Sequence, residues 1–484
     1  MAINRRLLIV SEVLFCCLLW YLLLFIISPW VWPFFLTYFL CKLVEQLIYK
    51  IRYNAVPSAY IDALWLKENP LNRTIINALL MTEGDLDIGR FREKLTQMLQ
   101  SHDSGSGKPY FKVKKRVLPG YFHYYWVDEE GFSIANHVKH WPVLVTSKLA
   151  LRHLLSDLCS KEFEAKSSPW EFILISFMDD DKILKTAIFV RMHHCMADGI
   201  SLARFLVREL ADDTVQTVPL KKFSEISRCL MMLKGLFWGP YFMLNILKSP
   251  GDQSIIHGGE LTGSKAVTWT EAIDFSIVKD IKNKTSSTVN DVLATAMSGA
   301  INSFFRKKAV TFVDDIKVAL PIDLRRNMDD AAMKFENEIT VLPFQLPTST
   351  IDPLVQLKEV KLRSNQLKTS GEPFALGIAL KLCTRVVPSF MLNPLNRFIC
   401  QKTTAVFSNV PGPQNAIKIC GHEMTTLTFW APQRDNIGLS FSFATYGNKL
   451  FFGVQSDVAL LVEPDDICKE FLGKLLELQR AVMM

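Results

Sequence analysis

Apolar residues dominate the first forty-odd positions, after which the chain alternates. Residues 7–28 are apolar apart from Ser11 and Glu12, and a second apolar run covers residues 34–41. Pro29-Trp30-Val31-Trp32-Pro33 separates the two, and Lys42, Glu45, Lys50 and Arg52 follow. A helix of about 20 apolar residues crosses a bilayer, so residues 1–53 read as a membrane anchor. A cleaved signal peptide fits less well, because the core is too long and no small-residue cleavage site follows it. Two geometries satisfy the pattern. One is a single span with residues 34–51 on the far surface. The other is a hairpin bent at Pro29 and Pro33, favoured by the positive-inside tendency because Arg5, Arg6, Lys42, Lys50 and Arg52 then share one face. On either geometry Glu12 is an acid inside the membrane, placed near an interface or protonated.

Beyond the anchor the chain divides into two halves. In residues 54–215 the spacing predicts a helix over 85–99, alternating strand character over 110–127 and a helical stretch over 145–158. Residues 185–190 are apolar and β-branched like a strand, and Leu202, Phe205, Leu206 and Leu210 lie on one helical face. Residues 216–266 read as a linker, with Pro219, Pro240, Pro250 and the Gly258-Gly259 pair. Within it, residues 230–247 suit equally a core helix kinked at Pro240 or a membrane-surface element flanked by Lys234 and Lys248. Residues 267–484 alternate helices and strands again.

Candidate chemistry sits where the 185–190 strand ends, in Arg191-Met192-His193-His194-Cys195-Met196-Ala197-Asp198-Gly199. A strand end entering a turn is a common place for catalytic groups, and histidine titrates nearest neutrality, which makes it the usual general base. Gly199 supports a tight turn. Asp198 fixes the loop either by pairing with an arginine or by capping the next helix. The spacing alone also admits a polar strand end with two incidental histidines.

This segment resembles the His-His-x-x-x-Asp-Gly signature of the acyl-CoA-dependent acyltransferases related to chloramphenicol acetyltransferase and peptide-synthetase condensation domains. Further blocks are similar to the wax ester synthase/diacylglycerol acyltransferase family. They are Thr288-Val289-Asn290-Asp291-Val292-Leu293, Pro321-Ile322-Asp323-Leu324-Arg325 followed by Asn337, Phe407-Ser408-Asn409-Val410-Pro411-Gly412-Pro413, and the stretch from Ile437-Gly438-Leu439-Ser440 to Phe452-Gly453-Val454. The resemblance runs in order from about Met81 to the C-terminus. It departs at Ser168-Pro169-Trp170, where the family has Pro-Leu-Trp, and at Val341-Leu342-Pro343-Phe344.

The resemblance implies an α/β fold of two chloramphenicol-acetyltransferase-like domains with mixed sheets, joined across a tunnel open at both ends. Acyl-CoA enters one end and the acceptor alcohol the other, behind an N-terminal membrane-anchoring helical segment. It assigns His194 as the base, His193 to packing and positioning, and Asp198 to holding the loop. Asn290 is then a candidate donor to the carbonyl oxygen, with an N-cap of the helix from Val292 as its other reading, and Asp291 is structural. Ser408 and Asn409 line the tunnel or belong to a rigid Pro411-Gly412-Pro413 turn. The implied reaction is transfer of a fatty acyl group from acyl-CoA to a long-chain alcohol or diacylglycerol, forming wax ester or triacylglycerol, with no metal and no cofactor. The apolar N-terminus sets the expected location, the endoplasmic reticulum or a lipid droplet with the catalytic part cytosolic, or else the plasma membrane.

Composition changes this picture little. The 33 Phe and 10 Trp suit an enzyme handling apolar substrates, whereas a net charge of +7 with no basic-aromatic array or Gly-rich phosphate loop gives no argument for nucleic acid. The ten cysteines form no Cys-x-x-Cys pair and no zinc spacing, which predicts free thiols in a reducing compartment. Cys195 reads as a small packing residue rather than a nucleophile. Three rivals follow: a superfamily acyltransferase acting on a soluble alcohol or amine, without the plant-type Asp-Phe-Gly-Trp-Gly motif; a condensation domain, without carrier domains; and a non-catalytic lipid-binding protein.

Overall fold

The computed structural model describes residues 2–101, 110–213, 224–310, 314–325, 334–460 and 462–484. Residues 214–223, around the start of the expected linker, lie outside them. Helix α1 (Ala2–Tyr53) runs unbroken through Pro29 and Pro33, so the hairpin expected at these prolines is not formed. A proline inside a helix leaves the carbonyl four residues earlier without its donor. Here Ser28 Oγ donates to the Phe25 carbonyl at 2.9 Å, supplying the bond that Pro29 cannot. Thr37 Oγ1 adds a bond to the Pro33 carbonyl at 2.9 Å, one turn further on. A local hydroxyl thus restores the bond lost at Pro29.

The first half continues with β1 (Val56–Pro57), α2 (Tyr60–Trp65), β2 (Ile75–Glu83), α3 (Ile88–Ser101), β3 (Lys115–Pro119), β4 (Tyr124–Asp128), α4 (Ile134–His137) and β5 (Val138–His140). It ends with α5 (Lys148–Cys159), β6 (Trp170–Met178), β7 (Leu184–His193) and α6 (Gly199–Phe205). The apolar helix α7 (Glu225–Lys248) has two arms, Glu225–Gly235 and Phe237–Lys248, that meet at 58°. The bend lies four residues before Pro240, where a proline ring clashes with the preceding turn. One face of α7 packs on other helices, while Ile226, Leu230, Leu233 and Phe237 stay exposed.

The second half comprises β8 (Lys265–Trp269), β9 (Ile273–Asp274), α8 (Ser276–Thr285), α9 (Val289–Lys307), β10 (Ile316–Asp323), β11 (Ile339–Leu346) and α10 (Pro353–Ser370). After it come α11 (Glu372–Val386), α12 (Ser389–Cys400), β12 (Ala405–Pro411), β13 (Lys418–Ile419), β14 (His422–Trp430), β15 (Leu439–Tyr446), β16 (Lys449–Asp457) and α13 (Pro464–Met483).

Two mixed sheets organise these elements. The first has the order β13-β14-β2-β7-β6-β5, and the second β11-β10-β12-β15-β16-β8 with β9 paired to β16. Strand β14 therefore leaves its own half and pairs antiparallel with β2, Leu427 opposite Leu80 and Trp430 opposite Asn77. Exchange of that strand welds the halves together and brings residues after 400 close to the histidine strand. Behind the second sheet, α9 is buried along most of its length, and Phe443, Phe452 and Phe471 stack with ring centroids 4.6–5.2 Å apart. Each fully buried side chain of this size contributes roughly 1.5–3 kcal/mol. All ten cysteines are free thiols, as their spacing predicts.

Candidate active site

Strand β7 carries the motif to His193 and stops because its neighbours end there. His193 N–H donates to the Pro169 carbonyl and His194 N–H to that of Thr74, each at 2.9 Å. The chain then turns, with Met196 N–H donating to the His193 carbonyl at 2.9 Å, and enters α6. Asp198 caps that helix by accepting from Ser201 N–H at 3.0 Å. Its other oxygen accepts from Arg325 Nη2 at 2.7 Å and from Glu338 N–H at 3.0 Å. Capping and arginine pairing thus occur together in one buried carboxylate.

His193 faces backwards into the fold. Its Nε2 lies 3.1 Å from Glu68 Oε2 and 3.3 Å from Thr74 Oγ1. Burial disfavours charge on this ring, but Cys195 and the Glu68 carboxylate push the other way and the balance is upward. Cys195 N–H donates to Nδ1 at 3.2 Å, which needs a lone pair there. That geometry decides for a neutral ring giving its Nε2 proton to Glu68.

His194 is only 4 % exposed. Burial holds its pKa down at about 4, against the opposing pull of Asp198 and of its own carbonyl. The ring is neutral at physiological pH and able to accept a proton. Trp65, at the end of α2, stacks on it with centroids 3.8 Å apart and planes 23° from parallel. Asn337 Nδ2 donates to the His194 carbonyl at 2.7 Å. Among the described residues neither His194 Nδ1 nor Asn337 Oδ1, both buried, has a partner at hydrogen-bond geometry. Trp65→Ala is expected to let water reach the ring and raise its pKa from about 4 towards the usual 6.5. The acid limb of the kcat/KM–pH profile should move up accordingly; an unmoved limb would show that the indole does not set the desolvation.

A buried ion pair lies beneath this loop. Lys112 Nζ donates to Asp62 Oδ2 at 2.6 Å and to the Cys195 and Met196 carbonyls at 3.1 and 3.0 Å. Asn337 Nδ2 also reaches Asp62 Oδ1 at 2.9 Å. Trp170, from the segment where the family motif is altered, stacks on His137 at 4.5 Å and donates its indole N–H to the Val113 carbonyl at 2.9 Å. Cys195 is fully buried among apolar side chains, a packing residue as its position suggested.

Comparison with known proteins agrees with this geometry. The description "Wax ester synthase/diacylglycerol acyltransferase catalytic domain" matches residues 64–234, and "WS/DGAT C-terminal domain" matches residues 335–479. The chain belongs to the wax ester synthase/diacylglycerol acyltransferase family. A probable diacylglycerol O-acyltransferase of Mycobacterium tuberculosis is 23% identical over 441 residues, covering 84% of this chain and 92% of that one. The wax ester synthase/diacylglycerol acyltransferase from Marinobacter aquaeolei VT8 superposes with a TM-score of 0.61 at 16% identity, over 89% of this chain and 100% of that one. A starter condensation domain of rhizomide synthetase, in complex with C8-CoA and Leu-SNAC, does so with a TM-score of 0.56 at 11% identity, over 91% and 96%. These likenesses bear out the two-domain, mixed-sheet α/β fold.

The family match begins at residue 64, well before the Met81 at which the resemblance was placed. The stretch in between holds Trp65 and Glu68, which touch the two histidines, and Asp62, which pairs with Lys112 beneath the loop, lies just before it. Asp62 and Trp65 stand three apart on α2, a spacing that puts them on one helical face. Lys112 offered none, because an isolated lysine reads as surface.

The family's Asn-Asp block is built differently from expectation. Thr288 is the N-cap of α9, and Asp291 closes a capping box with it: Thr288 N–H donates to Asp291 Oδ2 at 2.8 Å, and Asp291 N–H to Thr288 Oγ1 at 3.3 Å. Asn290 is therefore not the cap. It is exposed, and its Oδ1 accepts from Asn409 Nδ2 at 2.6 Å. Among the described residues no hydrogen bond joins it to the histidine loop. Asp291 is buried and also accepts from Ser364 Oγ at 2.7 Å, which makes it a structural group.

An apolar cavity adjoins the motif between the two halves. Met192, Gly199 and Phe205 bound it on one side, and Val410, Leu427 and Phe429 on the other. A Cβ on Gly199 would lie 3.3 Å from Val410 Cγ2, so the glycine keeps the two walls in contact without crowding. No group of three or more His, Cys, Asp or Glu side chains is arranged to hold a metal among the described residues.

Proposed function

We propose that this chain is a membrane-bound O-acyltransferase that moves a fatty acyl group from acyl-CoA to a long-chain alcohol or diacylglycerol, yielding wax ester or triacylglycerol. One observation carries the reading. His194 is a neutral, buried imidazole on a loop clamped by Thr74, Asn337 and Lys112, and the motif residues on either side of it, Met192 and Gly199, wall an apolar cavity. The alcohol oxygen attacks the thioester carbonyl as His194 accepts its proton. The carbon–sulfur bond then breaks, and the proton passes to the leaving coenzyme A thiolate. No acyl-enzyme, metal or redox cofactor enters this scheme.

Asn409 holds Asn290 Oδ1, which leaves the Asn290 amide nitrogen to donate to the substrate or its oxyanion. Asp198, Gly199 and His193 keep the loop in register. The condensation domain bound to C8-CoA shares this fold, which supports a thioester donor. Apolar acceptors partition into membranes, and α1 exposes Phe15, Leu18, Phe25, Trp30 and Trp32 around its surface. Its segment Phe25–Tyr53 is long and apolar enough to cross a bilayer. We place the protein at the endoplasmic reticulum or a lipid droplet with the catalytic part cytosolic, and at the plasma membrane as the alternative.

Membranes containing the protein, given labelled palmitoyl-CoA with hexadecanol or with diacylglycerol, test the reading. Label is expected in wax ester, triacylglycerol or both. Absence of either product above membranes lacking the protein would refute it.

A further inference from the structure

Two lysines line a pocket away from the histidines with an arginine near them, and among the described residues none of the three is ion-paired to an acid; Glu45 acts on Lys42 only through its charge. The pocket lies where α1, α2 and the β3–β4 connection meet α11 and α12. Lys42, on α1, is 2 % exposed, and among the described residues no oxygen accepts from its Nζ. The ammonium lies 4.2 Å from the centre of the Tyr60 ring, and the Arg385 guanidinium stands 5.7 Å from the same ring. Lys67, just past α2, lines the pocket with its Nζ 5.8 Å from the Tyr124 ring.

The neighbouring carboxylates take their hydrogen bonds from other groups, although the Glu45 charge still acts on Lys42. Glu45 accepts from the main-chain N–H groups of Tyr121 and Phe122 and from the Tyr125 hydroxyl. Asp62 pairs with Lys112, and Glu68 with His193 and Arg73. His123 gives its Nε2 proton to the Ser58 carbonyl at 2.8 Å, and burial keeps it neutral with a pKa of about 4. An ammonium in a poorly hydrated pocket without an acid is costly unless an anion arrives. Burial also lowers the Lys67 pKa to about 8, as that shortage would require.

We propose that this pocket binds a phosphate group, carried by coenzyme A or by an anionic phospholipid, with Lys42 and Lys67 as charge partners and Asn393 as a hydrogen-bond donor. Only the coenzyme A source rests on the acyltransferase reading. Both sources are within reach of the site: Ala63 and Leu64 line the pocket while Trp65, next in the chain, stacks on His194. The Lys42 helix is also the one that exposes its apolar surface.

The test uses the full chain in phosphatidylcholine nanodiscs. Tritiated coenzyme A is one probe, and vesicles of phosphatidylcholine with phosphatidic acid are the other. Lys42→Gln/Lys67→Gln is expected to weaken one of the two by at least about tenfold, while Lys42→Arg/Lys67→Arg and His194→Ala bind like wild type. The probe that responds identifies the phosphate source. Should the glutamine pair fail to fold, Asn393→Asp, at an exposed position, places a negative charge in the same pocket and should weaken the same probe. Unchanged affinity for both probes in the folded variants overturns the site and leaves the acyltransferase reading standing. Intact phosphate binding with no ester formed by wild type would do the reverse.

Discussion

His194→Ala is expected to reduce acyl-CoA-dependent ester formation by about 10²–10⁴-fold, the usual contribution of a positioned general base. An alcohol is a poor nucleophile until its proton leaves in step with bond formation. In the proposed mechanism the acceptor is His194, whose ring is stacked and desolvated. Because the ring is held neutral down to about pH 4, wild-type kcat/KM should keep its acid limb near 4 rather than near the ordinary 6.5. The variant should lose that limb together with its rate. Its KM for acyl-CoA should change little, since His194 acts on the proton in flight rather than on ground-state binding. Ester formation within a few-fold of wild type would remove His194 from the mechanism.

Lys112→Met is expected to destabilise the fold by roughly 3–5 kcal/mol, because it strands a buried charge. Asp62 would lose its ammonium and keep only the Asn337 amide, and the Cys195 and Met196 carbonyls would lose their donor. Burial already pushes the Asp62 carboxyl up from its usual range, and Lys112 is the largest influence holding it down. Lowered thermal stability and lost activity should appear together in the single variant. Asp62→Leu/Lys112→Met should recover much of the stability, since a well-packed apolar pair often replaces a buried ion pair at little cost. The double variant should still lack part of the activity, because the two loop carbonyls remain unheld. Equal stability of Lys112→Met and wild type, read by chemical denaturation, would show that the pair carries no such load.

The histidine strand, the turn at Gly199 and the helix after it were legible in the sequence because local rules govern them. An apolar, β-branched run marked β7 and period-3.6 apolar spacing marked α6, and an aspartate before a helix announced its cap. The resemblance across five ordered blocks then supplied the two-domain fold. Length and apolar character alone gave the N-terminal helix. Its continuity was not legible, since the Ser28 hydroxyl replaces the donor that Pro29 removes.

What only the tertiary structure decided is long-range and polar. Asp198 meets Arg325 across 127 positions, and Asn337 reaches back 143 positions to the His194 carbonyl. No periodicity encodes either pairing. The transfer of β14 into the first sheet, which closes the cavity beside the motif, is likewise a choice of partner rather than of conformation. Lys42, Lys67 and Arg385 are ordinary surface cations by composition, and the fold brings Lys42 and Arg385 to the Tyr60 ring and Lys67 to the same pocket as Lys42, with no ion pair to any of them among the described residues. Sequence thus determined which segments form strands and helices and where a base can sit, because those depend on neighbours a few residues apart. The protonation state of that base and the charges left without partners depend on burial and on distant contacts, which exist only once the chain has folded.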